Sequence, residues 1–72
     1  AMLQPNVIVH LKAGSTVQTE GGAVEEIDRV AGRSLHDTDE VRDGELVEQT
    51  IVKGQNGGFT VDDSDIEDIQ RL

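Results

Sequence analysis

The side chains able to do chemistry in this chain are mostly carboxylates, and they gather in two runs. Asp37, Asp39, Glu40, Asp43 and Glu45 form the first; Asp62, Asp63, Asp65, Glu67 and Asp68 form the second. Oxygen donors at such density suit three tasks: holding a hard cation, trading protons, or meeting the cationic groups of another macromolecule. The cation task fails a template check. With Asp43-Gly44 at positions five and six of an EF-hand loop, Asp39 falls at one, but Val41 falls at three and Thr50 at twelve. Two ligand positions are lost, including the bidentate acid. A loose cation contact is the most that residues 36–45 offer. His36 beside Asp37 and Asp39 has no second His at zinc-ligand spacing, and cysteine is absent, so no metal residue is assigned.

Proton and group transfer fare no better. His10 and His36 lack a nucleophile at a supporting position, since Ser15, Ser34 and Ser64 all lie outside G-x-S-x-G. Neither phosphate-cradling glycine pattern occurs, and "KGQNGG" reads as a hairpin turn. At 72 residues the chain buries only about 60% of its unfolded surface, too little to enclose a dry pocket easily. No catalytic or cofactor-binding residue is assigned, and the expectation is a protein that is not an enzyme.

Charge is the feature left. The net charge is −9. Residues 37–72 hold eleven acids against Arg42, Lys53 and Arg71, an excess of eight, while residues 1–36 have an excess of one. Phosphate attraction needs a basic footprint, so direct nucleic-acid binding and docking on an anionic membrane are both disfavoured. Two readings of the acids stay open. They are a solvated surface serving solubility or life in strong salt, or they recognise a protein with a basic surface. Carboxylates on a helix or turn stand about 5–6 Å apart, close to phosphate spacing. In composition the chain resembles small phage-type inhibitors that occupy the basic site of a DNA-binding enzyme, which implies nucleic-acid mimicry. The expected function is a protein-binding adaptor or accessory module, with mimicry as the rival. A homodimer is left open, with Leu46, Ile51, Phe59 and Leu72 as candidates to extend a core across it, although for each a place in the internal core is the preferred reading. No run reaches membrane-spanning length and no signal-peptide core follows the N-terminus, so a soluble, cytoplasmic protein is expected.

The elements that must hold these residues are read from periodicity. Residues 1–72 form one small domain, with 1–5 as a flexible N-terminal segment. "NVIVHLKAGSTVQTE" predicts a hairpin, with Val7, Val9 and Leu11 on one face and "AGST" as its turn. Val24, Ile27, Val30 and Ala31 recur at helical spacing, which predicts a short helix over 23–31 closed by Gly32, with a strand interrupted by a bulge as the alternative. Residues 32–44 lack either period and are expected to be a long acidic loop. "ELVEQTIVK" and "GGFTV" predict two strands joined at Asn56-Gly57. Ser64 and Glu67 have capping-box spacing, and Ile66, Ile69 and Leu72 recur at threes, which predicts a C-terminal helical turn. The class expected is α+β, mainly antiparallel β, as a barrel or curled sheet.

In element order, "VIVHLKAGSTV" with "GGFTVDDSDIEDIQRL" resembles the first hairpin and the closing strand, 3-10 turn and strand of an Sm/SH3-like barrel. The β-β-α order of residues 7–31 resembles instead a ubiquitin-like β-grasp. Neither resemblance carries functional residues to this chain.

Overall fold

The computed structural model describes residues 4–72. Part of the segment 1–5 therefore lies outside the described residues; Gln4 and Pro5 are exposed. Eight strands and one 3-10 turn follow among the described residues: β1 Val7–Leu11, β2 Thr16–Thr19, β3 Val24–Glu26, β4 Arg29–Gly32, β5 Ser34–Arg42, β6 Glu45–Gly54, β7 Gly57–Asp62, the turn Asp63–Asp65, and β8 Ile66–Arg71. They make two antiparallel sheets, ordered β4-β1-β8 and β3-β2-β7-β6-β5. The sheets share one core of Val9, Leu11, Val17, Val30, Val52 and Val61, with Ile27, Leu35, Phe59 and Ile66 packed around it.

Alternation builds that core. Val7, Val9 and Leu11 are buried on one face of β1 while Ile8 and His10 are half-exposed on the other. Val52 and Val61 point the same way from β6 and β7, and Phe59 stands opposite Val52. All six core side chains are aliphatic and five are valine, which suits a pleated surface and places little volume at each position.

The α+β expectation is overturned: the fold is two sheets, without the helix over 23–31 and without barrel closure or a β-grasp helix. Val24, Ile27 and Val30 are β-branched, a type that loses χ1 freedom in a helix, and nine residues are too few to hold one without strong packing. They divide between two short strands. Val24 is exposed, Ile27 sits half-exposed at the bend, and Val30 alternates inward with Gly32.

The hairpin expected over residues 6–20 also fails. β1 pairs with β4 and β8, and β2 pairs with β3 and β7. Residues 12–15 form a tight turn with Gly14 at φ +80, where the Ser15 hydroxyl donates 2.6 Å to the Lys12 carbonyl. That turn sends the chain from one sheet to the other.

The loop expected over 32–44 is mostly strand. β5 pairs with β6 from Ser34↔Lys53 to Arg42↔Glu45 without a break. Its turn is Asp43-Gly44, at φ 51 and 79, the left-handed pair of a type I′ hairpin.

At the C-terminus only three residues are helical. The Asp62 cap makes no side-chain bond there, and β8 takes the rest as a partner for β1. The register shifts by one residue: Leu11 faces Ile66 while His10 faces Asp68. The extra residue, Glu67, is a bulge, and it brings Ile66 and Ile69 to the same face despite their spacing of three.

Candidate functional site

β5 and β6 form a long hairpin arm whose far half extends beyond the valine core. On the inner face the rungs run Leu35–Val52, Asp37–Thr50, Asp39–Glu48, Val41–Leu46. The first rung packs on the core. Thr50 is buried, and its hydroxyl donates 2.6 Å to Asp63, at the start of the 3-10 turn. Asp37, Asp39, Glu48 and Asp63 then line one open depression. Past them Val41 and Leu46 stand opposite each other, 74% and 64% exposed.

Asp39 and Glu48 are directly opposed, and like charges so placed destabilise a sheet by up to about 1 kcal/mol. A cation brought against this rung relieves that repulsion.

On the outer face of the arm one arginine engages two carboxylates. Arg42 donates from Nη1 to Asp62 Oδ2 at 2.9 Å and from Nη2 to Oδ1 at 3.1 Å, a bidentate fork. Its Nε donates to Glu40 Oε1 at 3.0 Å, with which it also forms an ion pair. Gln49 Nε2 donates to Asp62 at 3.0 Å. Hydrogen bonds to Asp62 and then Glu40 push Arg42 further above its already high range. Those from Arg42 hold the Asp62 carboxyl below the usual aspartate range, opposed by burial and helped by Gln49.

The two acidic runs thus do not form one ridge. Asp37, Asp39 and Asp63 meet on the inner face of the arm; Glu40 and Asp62 meet on the outer face around Arg42. Asp43 and Glu45 lie at the exposed tip. Asp65 gives its carbonyl to the Lys12 N–H, Glu67 is the bulge, and Asp68 faces His10 in the other sheet. Glu48 joins the site although the sequence reading passed over it. Its signal was register: once β5 is a strand turning at Asp43-Gly44, residue 48 must face residue 39.

The loose cation contact that is the most residues 36–45 could offer meets a changed geometry. A strand alternates Asp39 and Glu40 to opposite faces, so they cannot wrap one ion. Among the described residues no group of three or more His, Asp and Glu side chains is arranged to hold a metal. Ser34 Oγ and His36 Nε2 lie 3.0 Å apart, but on an exposed surface where water is not excluded. Of the residues named for a dimer core, Ile51 and Phe59 are half-exposed, while Leu46 and Leu72 are exposed. No helix among the described residues is long and apolar enough to cross a membrane.

Comparison with protein-family models, with curated proteins and with solved structures finds no match for this chain. Its class rests on the fold alone: a small antiparallel two-sheet protein with an acidic arm.

Proposed function

We propose that this chain is a non-enzymatic binding module that takes a basic segment of a partner protein on the inner face of the β5–β6 arm. One observation carries the reading: Asp37, Asp39, Glu48 and Asp63 line a single open depression outside the apolar core, with an exposed apolar pair beside it. Mimicry of a nucleic-acid backbone is the weaker reading. It calls for a continuous ridge of free carboxylates, whereas Glu40 and Asp62 are engaged by Arg42 and Asp68 belongs to the other sheet.

The test compares short polybasic peptides with neutral peptides of equal length by equilibrium titration at low and high salt. The variant Asp37→Asn/Asp39→Asn/Glu48→Gln/Asp63→Asn is expected to bind at least about tenfold more weakly. Glu67→Gln/Asp68→Asn is expected to bind as the parent does. Equal losses in both variants would reduce the acids to a solubilising surface.

A further inference from the structure

The register of the arm determines which backbone groups are free. Arg42 and Glu45 flank a two-residue turn, which makes them a hydrogen-bonded pair. Bonds between antiparallel strands recur at every second residue, so Glu40, Thr38 and His36 also turn their N–H and C=O toward β6. The turn joining β6 to β7 gives the same phase. Gly54 faces Gly57 across two residues, so even-numbered β6 residues bond to β7 and odd-numbered ones to β5. Leu35, Asp37, Asp39 and Val41 must therefore turn their N–H and C=O outward. β5 is the last strand of its sheet, with nine residues, against three, four and six in the other edge strands β3, β4 and β8.

We infer that β5 is a docking edge for an extended basic peptide, which adds as a sixth strand of the larger sheet. This rests on the acidic-face reading above and specifies how the partner is held. The outward residues are the same four whose side chains β5 contributes to the inner face. In an antiparallel addition the residues bonded to Asp39 and Asp37 set their side chains next to those two carboxylates on the inner face, with Glu48 one strand further in, opposite Asp39. Lysine or arginine at those two alternate positions meets the carboxylates. Apolar residues two positions before and after meet Val41 at one end and Leu35 at the other. The recognised pattern is apolar-x-basic-x-basic-x-apolar, with main-chain bonds for affinity and alternate side chains for specificity.

A second copy of the chain is a poor occupant of this edge. With β5 against β5 centred on Thr38, Asp37 of each copy faces Asp39 of the other. A two-residue slip in either direction sets Asp37 against Asp37 or Asp39 against Asp39. Every such register opposes like charges, so the same acids guard the edge against self-pairing.

The probe is the capped peptide Val-Thr-Lys-Thr-Lys-Thr-Val, compared with an isomer whose two lysines are adjacent. The alternating peptide is expected to bind at least about tenfold more tightly, because only it sets both charges on one face. Backbone N-methylation of the two lysines is expected to cost about tenfold or more, since their N–H groups point at β5. N-methylation of the threonines, whose N–H groups point away, is expected to cost less than about twofold. Hydrogen exchange should slow at the amides of Leu35, Asp37, Asp39 and Val41. Binding without phase dependence or amide protection would overturn strand addition and leave the acidic-face reading standing. No binding by any basic peptide would overturn both. Self-association of the free chain through this edge, seen by sedimentation and blocked by Asp39→Pro, would overturn the choice of occupant.

Discussion

Gly32 of β4 lies so close to Val52 of β6 that a Cβ added there would stand 2.7 Å from Val52 Cγ1 and 2.8 Å from the Lys53 carbonyl oxygen. The close approach lets the chain leave the smaller sheet at Gly32 and enter the larger one at Ser34, with the Arg33 N–H donating 2.7 Å to the same carbonyl. Gly32→Ala is expected to destabilise the fold by about 1–3 kcal/mol, because a backbone carbonyl cannot rotate aside as a side chain can. Urea denaturation measures it; an unchanged midpoint would place the two sheets further apart.

Asp43-Gly44 tests whether residues 34–42 are held as a strand. Gly44→Ala puts a Cβ at φ +79 and is expected to cost about 1 kcal/mol, with nothing within 4 Å to blame but the backbone. Asp43→Gly, also at positive φ, is expected to be within about 0.5 kcal/mol of the parent. A mobile acidic loop would tolerate both changes equally.

Val52 and Val41 lie on the same face of the arm and should respond very differently. Val52 is 1% exposed and Val41 is 74% exposed. Val52→Ala removes two buried methyl groups and is expected to cost about 2–3 kcal/mol, against a total of about 4–11 kcal/mol for a chain this size. Val41→Ala is expected to stay within about 0.5 kcal/mol. Thermal melts of the two variants decide it.

Arg42 and Asp62 give a pH dependence with a definite sign. The folded Asp62 carboxyl lies below its unfolded value, so the pair's contribution is in place above about pH 3.9 and is lost as pH falls through the depressed value. Arg42→Gln is expected to lower the melting temperature at neutral pH, and the gap from the parent should close on acidification. A gap that stays constant down to pH 2 would mean the ion pair supplies nothing.

What the sequence disclosed, and what it hid, follows from where the controlling contacts lie. Val7, Val9 and Leu11 showed their strand because alternation is local. The β6–β7 hairpin was visible at Asn56-Gly57, although only Gly57, at φ +110, takes positive φ there. β5 was opaque because "SLHDTDEVR" separates Leu35 from Val41 by five polar or charged residues; its extension is imposed by β6. Asp43-Gly44 carried the hairpin signal, but reading it as a cation-loop fragment obscured that. Ile66 and Ile69 looked helical because a bulge imitates a spacing of three. The acids were legible as composition only. Their division between the two faces of the arm, and the arrival of Glu48, required the register.

Because the turn at Gly14 sends β1 and β2 into different sheets, β1 does not pair with the strand that follows it. Val7 pairs with Gly32 and with Arg71, so the smaller sheet closes only through contacts distant in sequence. Such distant closures put refolding in the millisecond-to-second range despite the short length. Until then the Val-Ile-Val of β1 is an uncovered apolar strand, open to aggregation.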